Sequence, residues 1–185
     1  KADTKGAAYT EFNRSNRLIR RYLRENNIPD SCIESNSVSI EKQTKSLYDT
    51  QAERYFERDD GYLVSQSIII TSHDLPTVER VYQKISELYG RDVNFSSSDQ
   101  LYYYTKLDDL KMQLLHDAGV DAYKRAETIA EGSNASVGSL QSSTMGVFQI
   151  VGLNSSDDYS WGGTFNISDK EKKASITIRA IYSPK

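Results

Sequence analysis

Between Tyr62 and Tyr89 the apolar residues change their period. Tyr62, Val64, Ile68 and Ile70 alternate with Leu63, Ser65, Ser67 and Thr71, which predicts a strand with one apolar face over 62–72. From Leu75 the spacing becomes helical. Val78, Val81, Tyr82, Ile85, Leu88 and Tyr89 form a full apolar face of a helix over 75–89. Asp74 stands at its N-cap, Pro76 lies in its first turn where a missing N–H costs nothing, and Gly90 takes the closing position. The two periods side by side point to helices packed on a sheet.

The rest of the chain extends that pattern. Phe12, Asn16, Ile19, Tyr22 and Leu23 share one side of a helix over 7–26, with Arg14, Arg17, Arg21 and Arg24 opposite. Asn26-Asn27-Ile28-Pro29 ends it, because Asn tolerates the left-handed conformation and Pro cannot continue a helix. A strand follows from Ile33 to about Tyr48. Asp59-Asp60-Gly61 then reads as a turn, making a long hairpin with 62–72. Val93, Phe95, Leu101 and Tyr103 suggest another strand, interrupted by Ser96-Ser97-Ser98. Thr105 and Asp108 resemble a capping box for a helix bearing Leu107, Leu110, Leu114, Ala118, Ala122, Ala126, Ile129 and Ala130, closed by Gly132. Met145–Leu153 and an alternating run from Ala174 to Tyr182 predict two more strands, separated by a polar loop containing Trp161-Gly162-Gly163. Helices interleaved with antiparallel hairpins make an α+β layered fold. Its plan is β-α-β-β, a connecting helix, then β-α-β-β, with the first strand missing or reduced. The chain is either one domain over 1–185 or two interleaved α+β subdomains, about 1–72 and 92–185, joined by helix 75–89.

Composition narrows the classes. The chain has 185 residues, enough for a real core. Its net charge of −3 argues against a generic polyanion binder, nucleic-acid binders included, though it leaves room for a local basic patch. Cys32 is the single cysteine, so no intrachain disulfide or Cys-rich zinc module can form. No apolar run approaches the roughly 20 residues that span a bilayer. No signal peptide is visible; the expectation is a trimmed or mature form, in which a removed export signal would leave no trace.

Four stretches carry a resemblance to a known family. They are NRLIRRYLRENNIPDSCIESNSVSI, GYLVSQSIIITSHDLPTVERVYQKI, the segment from DVNFSSSDQ to KRAETIAEG, and the final KKASITIRAIY. Their order and spacing resemble the SIMPL domain family, found mostly in bacterial cell envelopes. Tyr123 and Ile129 depart from the usual small residues of its third helix. The resemblance implies a periplasmic or envelope-associated protein. It also implies a link to oxidative-stress tolerance in some members and assembly into rings in others. It carries over no catalytic residues.

Several constellations have more than one reading. The arginine stripe is a solvated or ion-pairing face, a protein-contact surface, or a site for polyanions or a membrane surface. Tyr102-Tyr103-Tyr104 would bury Tyr103 and turn Tyr102 and Tyr104 the other way; the cluster is then either core plus a partly covered sheet face or an interface. Trp161 is either a local staple or a contact finger. His73 and His116 lack the i, i+4 partner of a helical metal site. The acidic run Glu57, Asp59, Asp60 lacks calcium-loop spacing. No nucleophile elbow, P-loop or dinucleotide fingerprint occurs. The reading is therefore a non-enzymatic protein with no catalytic residues, metal or cofactor. It acts through protein contacts or self-assembly, with Arg14, Arg17, Arg21, Arg24, Tyr102, Tyr104 and Trp161 as contact candidates. The alternatives are a module binding a small envelope ligand in a cleft between helix and sheet near the tyrosines, and an enzyme whose residues are assembled from distant segments.

Overall fold

A computed structural model describes residues 1–155 and 162–185. Among them lie three α-helices and three antiparallel two-stranded sheets, an α+β fold. The chain divides into two compact units, 1–98 and 99–185.

The first unit is organised by helix α1 (Lys5–Glu25). The Thr4 hydroxyl caps it by accepting the Ala7 N–H at 3.2 Å. At the other end Asn27 adopts φ 64°, and the N–H groups of Asn27 and Ile28 return to the carbonyls of Arg24 and Leu23. This is a Schellman closure with Asn in the left-handed position. It turns Ile28 back onto the helix, where Tyr22, Leu23 and Ile28 are each 1% exposed. They pack with Val81, Leu88 and Val93 to form the core.

One short sheet covers that core, and a second sheet lies against α1. Strands β1 (Ile33–Ser35) and β4 (Ile68–Ile70) pair with Ile33 opposite Ile70, and Ile33, Ile68 and Ile70 cover the core. Strands β2 (Ser39–Asp49) and β3 (Arg54–Ser65) form a long ribbon. The expected continuous strand from Ile33 to Tyr48 is thus two strands serving different sheets. The expected turn at Asp59-Asp60-Gly61 is also corrected. The chain reverses at 50–53, where Glu53 takes φ 49°, and β3 runs straight through the acidic stretch. Asp60 and Gly61 there oppose Gln43 alone, which is a β-bulge. Gly61 has φ 81°, and a Cβ on it would lie 2.4 Å from the Ala2 carbonyl oxygen. Ala2 pairs with Tyr62 through two backbone bonds of 2.8 and 3.0 Å, and Lys1 forms an ion pair with Asp60. A Gly beside an acidic pair is the same local signal for a turn and for this bulge.

Helix α2 (Leu75–Lys84) begins at Asp74, which accepts the Thr77 N–H at 3.2 Å. Hydrogen bonds from the Thr77 side chain and backbone lower the Asp74 pKa. The expected helix to Tyr89 instead tightens into a 3-10 helix over Ile85–Arg91. The closing left-handed residue is Asp92 (φ 54°), not Gly90. Tighter winding puts Ile85, Leu88 and Arg91 in one row. It also lets the Val93 N–H reach the Leu88 carbonyl at 3.2 Å while both side chains stay buried.

In the second unit the expected strand through Val93–Tyr103 is absent among the described residues. Val93 and Phe95 serve the first unit, with Phe95 stacked on Tyr89 at 4.5 Å. The Tyr102 backbone N–H donates to the Ile167 carbonyl at 2.7 Å. Helix α3 (Leu107–Gly132) starts from Lys106 with no side-chain cap, so the Thr105–Asp108 box does not form. The helix packs chiefly on β6 (Lys172–Pro184), which pairs with β5 (Val137–Gly152). Its stripe of Leu114, Ala118, Ala122, Ala126 and Ala130 is half-buried, as its small residues allow. Ile129 lies outside the stripe at 72% exposure, and Tyr123 meets Tyr182 edge-on at 5.6 Å. The deep core here is Ile150 and Val151 of β5.

Leu88 is fully enclosed, so Leu88→Ala is expected to destabilise the first unit by about 2–5 kcal/mol. A lowered denaturant midpoint at unchanged slope, followed by circular dichroism, checks this.

Candidate functional site

Two concave sites and one exposed surface stand out. The first site is an open groove of about 550 Å3 lined by Arg14, Arg17, Leu18 and Arg21 of α1 and by Arg91 and Asp92 after the 3-10 helix. Residues three and four apart share a helix face, which accounts for Arg14, Arg17 and Arg21. Arg91 arrives through the row that buries Leu88. Arg14 donates to Glu11 at 2.9 Å and to the Arg91 carbonyl at 3.5 Å. Arg91 pairs with Glu25 at 3.6 Å. These contacts tie the helix to the end of the 3-10 segment. Arg24, the fourth residue of the expected stripe, instead pairs with Asp30 at 3.4 Å and does not line the groove. Arg20, outside the stripe, donates to Asn16 at 3.0 Å and Ser35 at 2.8 Å. Sequence periodicity found three of the four groove arginines. Arg91 was missed because it follows the residue expected to end its helix.

The second site is a pocket of about 290 Å3 between α3 and the β5–β6 sheet. Tyr104, Leu110, Leu114, Ile150 and Ala174 form its mostly apolar wall, and Lys172 is its cation. The Lys172 ammonium donates to the Asn166 carbonyl at 2.7 Å and to Asn166 Oδ1 at 3.2 Å. Burial pushes the Lys172 pKa down, and Asp169 opposes that shift. The stretch 164–169 is held against β5 by bonds from the Ile150 N–H to Thr164 (2.7 Å) and from the Asn166 N–H to Ile150 (2.8 Å). The tyrosine cluster is oriented opposite to expectation: Tyr102 is half-buried, whereas Tyr103 is 67% exposed. Without a strand there, side chains do not alternate across a sheet. Lys172 carried a usable signal. It shares parity with Ala174, Ile176 and Ile178, which places it on the apolar face of β6.

The exposed surface is the β2–β3 ribbon. Tyr48 and Tyr55 lie directly opposite each other with ring centroids 4.9 Å apart, and Leu47 faces Phe56. Tyr55 is 72% exposed, and nearly the whole ribbon is accessible on both faces. Trp161 and the Asp157-Asp158 pair lie outside the described residues. Among the described residues no three His, Cys, Asp or Glu side chains converge as metal ligands, and no helix is long and apolar enough to cross a membrane. His116 sits 3.3 Å from Asp117 on an exposed face. His73 contributes its carbonyl to the Leu75 N–H at the start of α2.

No curated protein matches the chain. A family model does, over residues 1–179 of the 185, and its description is a protein of unknown function (DUF541). With a match over nearly its whole length, the chain belongs to the SIMPL family.

Proposed function

We propose that the chain is a non-enzymatic cell-envelope protein that works through protein contacts, first of all with copies of itself. The observation carrying this reading is the β2–β3 ribbon. A lone two-stranded ribbon is marginal in water, and its outer edges offer unpaired backbone groups to another strand. This ribbon also presents Tyr48, Tyr55 and Phe56 near its tip, where rings with one apolar and one wet side favour contacts. Its charges are mixed, with Lys42, Lys45, Arg54 and Arg58 interspersed among Glu41, Asp49, Glu57 and Asp59. That pattern suits a self-complementary interface rather than a partner of one sign. Sedimentation velocity over a range of concentrations should reveal oligomers that the double variant Tyr55→Lys, Phe56→Lys dissociates. A native chain that stays monomeric at every concentration would sink the reading. Membership of the SIMPL family supports the envelope placement and a contribution to oxidative-stress tolerance, through the resemblance given above. Recovery of the native protein in an osmotic-shock fraction checks the placement.

A second reading is favoured by the pocket beside Tyr104, which lies where a small-ligand cleft was expected. An apolar wall with one cation at its rim suits a small amphipathic anion, such as a short-chain carboxylate. Leu114→Trp fills the pocket from α3 and should abolish binding of such a probe by calorimetry. Equal heats from native and filled proteins would dismiss this reading.

A further inference from the structure

The arginine groove carries an inference of its own, independent of the ribbon and of the Tyr104 pocket. Four guanidinium groups, from two separate elements, converge on one concavity in a chain whose net charge is negative. Ordinary structural duties explain only some of them. Arg24, outside the groove, neutralises Asp30 and lies in the last turn of α1, where a cation complements the helix dipole. Arg14 and Arg91 are held by Glu11 and Glu25. Arg17 and Arg21 have no hydrogen-bond or ion-pair partner among the described residues, and both are exposed on the groove wall. Neither lies in the last turn of α1, so its dipole accounts for neither.

Like charges held close together repel, and an anion bound between them relieves that repulsion. The geometry points to a binding site for a ligand bearing clustered phosphate groups, held between Arg17 and Arg21 on one side and Arg91 on the other. A guanidinium offers a planar fork of donors that matches phosphate oxygens two at a time. The carboxylates on Arg14 and Arg91 limit the freedom of those side chains, so less rotamer entropy is lost on binding. A cavity of about 550 Å3 is larger than one phosphate needs and falls within the range of small-molecule sites. Among the described residues Leu18 is the only apolar one lining it, so little of the ligand's recognition comes from hydrocarbon. Asp92 places one carboxylate in the same wall, which disfavours a further phosphate there and can accept a hydrogen bond from a ligand hydroxyl or amine. A phosphorylated polar headgroup or solute meets all of these conditions. The same chemistry comes from two sources, a free phosphorylated solute and a phospholipid headgroup.

Inorganic tripolyphosphate is the probe for the first source, measured by isothermal titration calorimetry at low salt. Vesicles of phosphatidylcholine with and without phosphatidic acid are the probe for the second, measured by co-sedimentation. The double variant Arg17→Gln, Arg21→Gln removes exposed groups without partners, so its melting temperature should match that of the native chain. Its affinity for tripolyphosphate should fall by roughly tenfold or more for each guanidinium lost. Arg24→Gln, outside the groove, should leave affinity unchanged. Tripolyphosphate binding without vesicle binding assigns the site to free solutes. Vesicle binding that requires phosphatidic acid and is displaced by tripolyphosphate assigns it to headgroups. The inference is overturned if neither probe binds, if vesicle binding resists tripolyphosphate, if the folded double variant binds as tightly as the native chain, or if Arg24→Gln weakens binding equally.

Discussion

The first unit depends on the contact between the end of α1 and the chain that follows α2. Leu88 and Val93 close over Tyr22, Leu23 and Ile28, and no other cluster in that unit is as completely dry. This contact has to form before anything else in the unit makes sense. β1 and β4 are three residues each and could not hold together without the apolar surface beneath them. The groove exists because the same packing delivers Arg91 to the side of α1. Burying Leu88 is therefore both the main stabilising event and the step that gathers the positive charge.

The second unit is built differently. No residue of α3 is fully buried, and the helix rests on β6 through small side chains and a few leucines. Close approach of helix and sheet replaces depth of burial. The stretch 164–169 adds a second layer by docking on β5, and it supplies the oxygens that hold Lys172 at the edge of an apolar wall. A lysine in such a place is partly dehydrated, and that burial lowers its pKa while Asp169 opposes the shift.

Much of this was legible in the sequence where a single local rule applied. The Asn-Asn stop of α1, the Asp74 cap and the alternation of β6 follow from residue type and spacing, and the structure has all three. Errors arose where two outcomes share one local signature. Asp59-Asp60-Gly61 satisfies both a turn and a bulge, and only the pairing of β3 with β2 and with Ala2 decides between them. Leu101 and Tyr103 have strand character but find no neighbouring strand among the described residues, so propensity alone made no strand. Of the helical stripe, Arg14, Arg17 and Arg21 line the groove and Arg24 lies outside it. Arg91 depended on a switch from 3.6 to 3.0 residues per turn, which is a response to packing on α1. No pattern within 85–92 announces it.

The bulge at Gly61 has a consequence for the ribbon's uniqueness. A two-stranded ribbon that is polar on both faces has little to choose between neighbouring alignments, since sliding by one residue buries nothing new and exposes nothing costly. Here both flanking partners of β3 are set by the same glycine. On one side the bulge needs a residue that accepts positive φ. On the other, the Ala2 carbonyl occupies the volume that any side chain would claim. Shifting either partner would bring Asp60 or Tyr62 to that place, and both carry a Cβ. One atom's absence thus gives an otherwise permissive ribbon a single alignment, and with it a fixed pattern of faces to present.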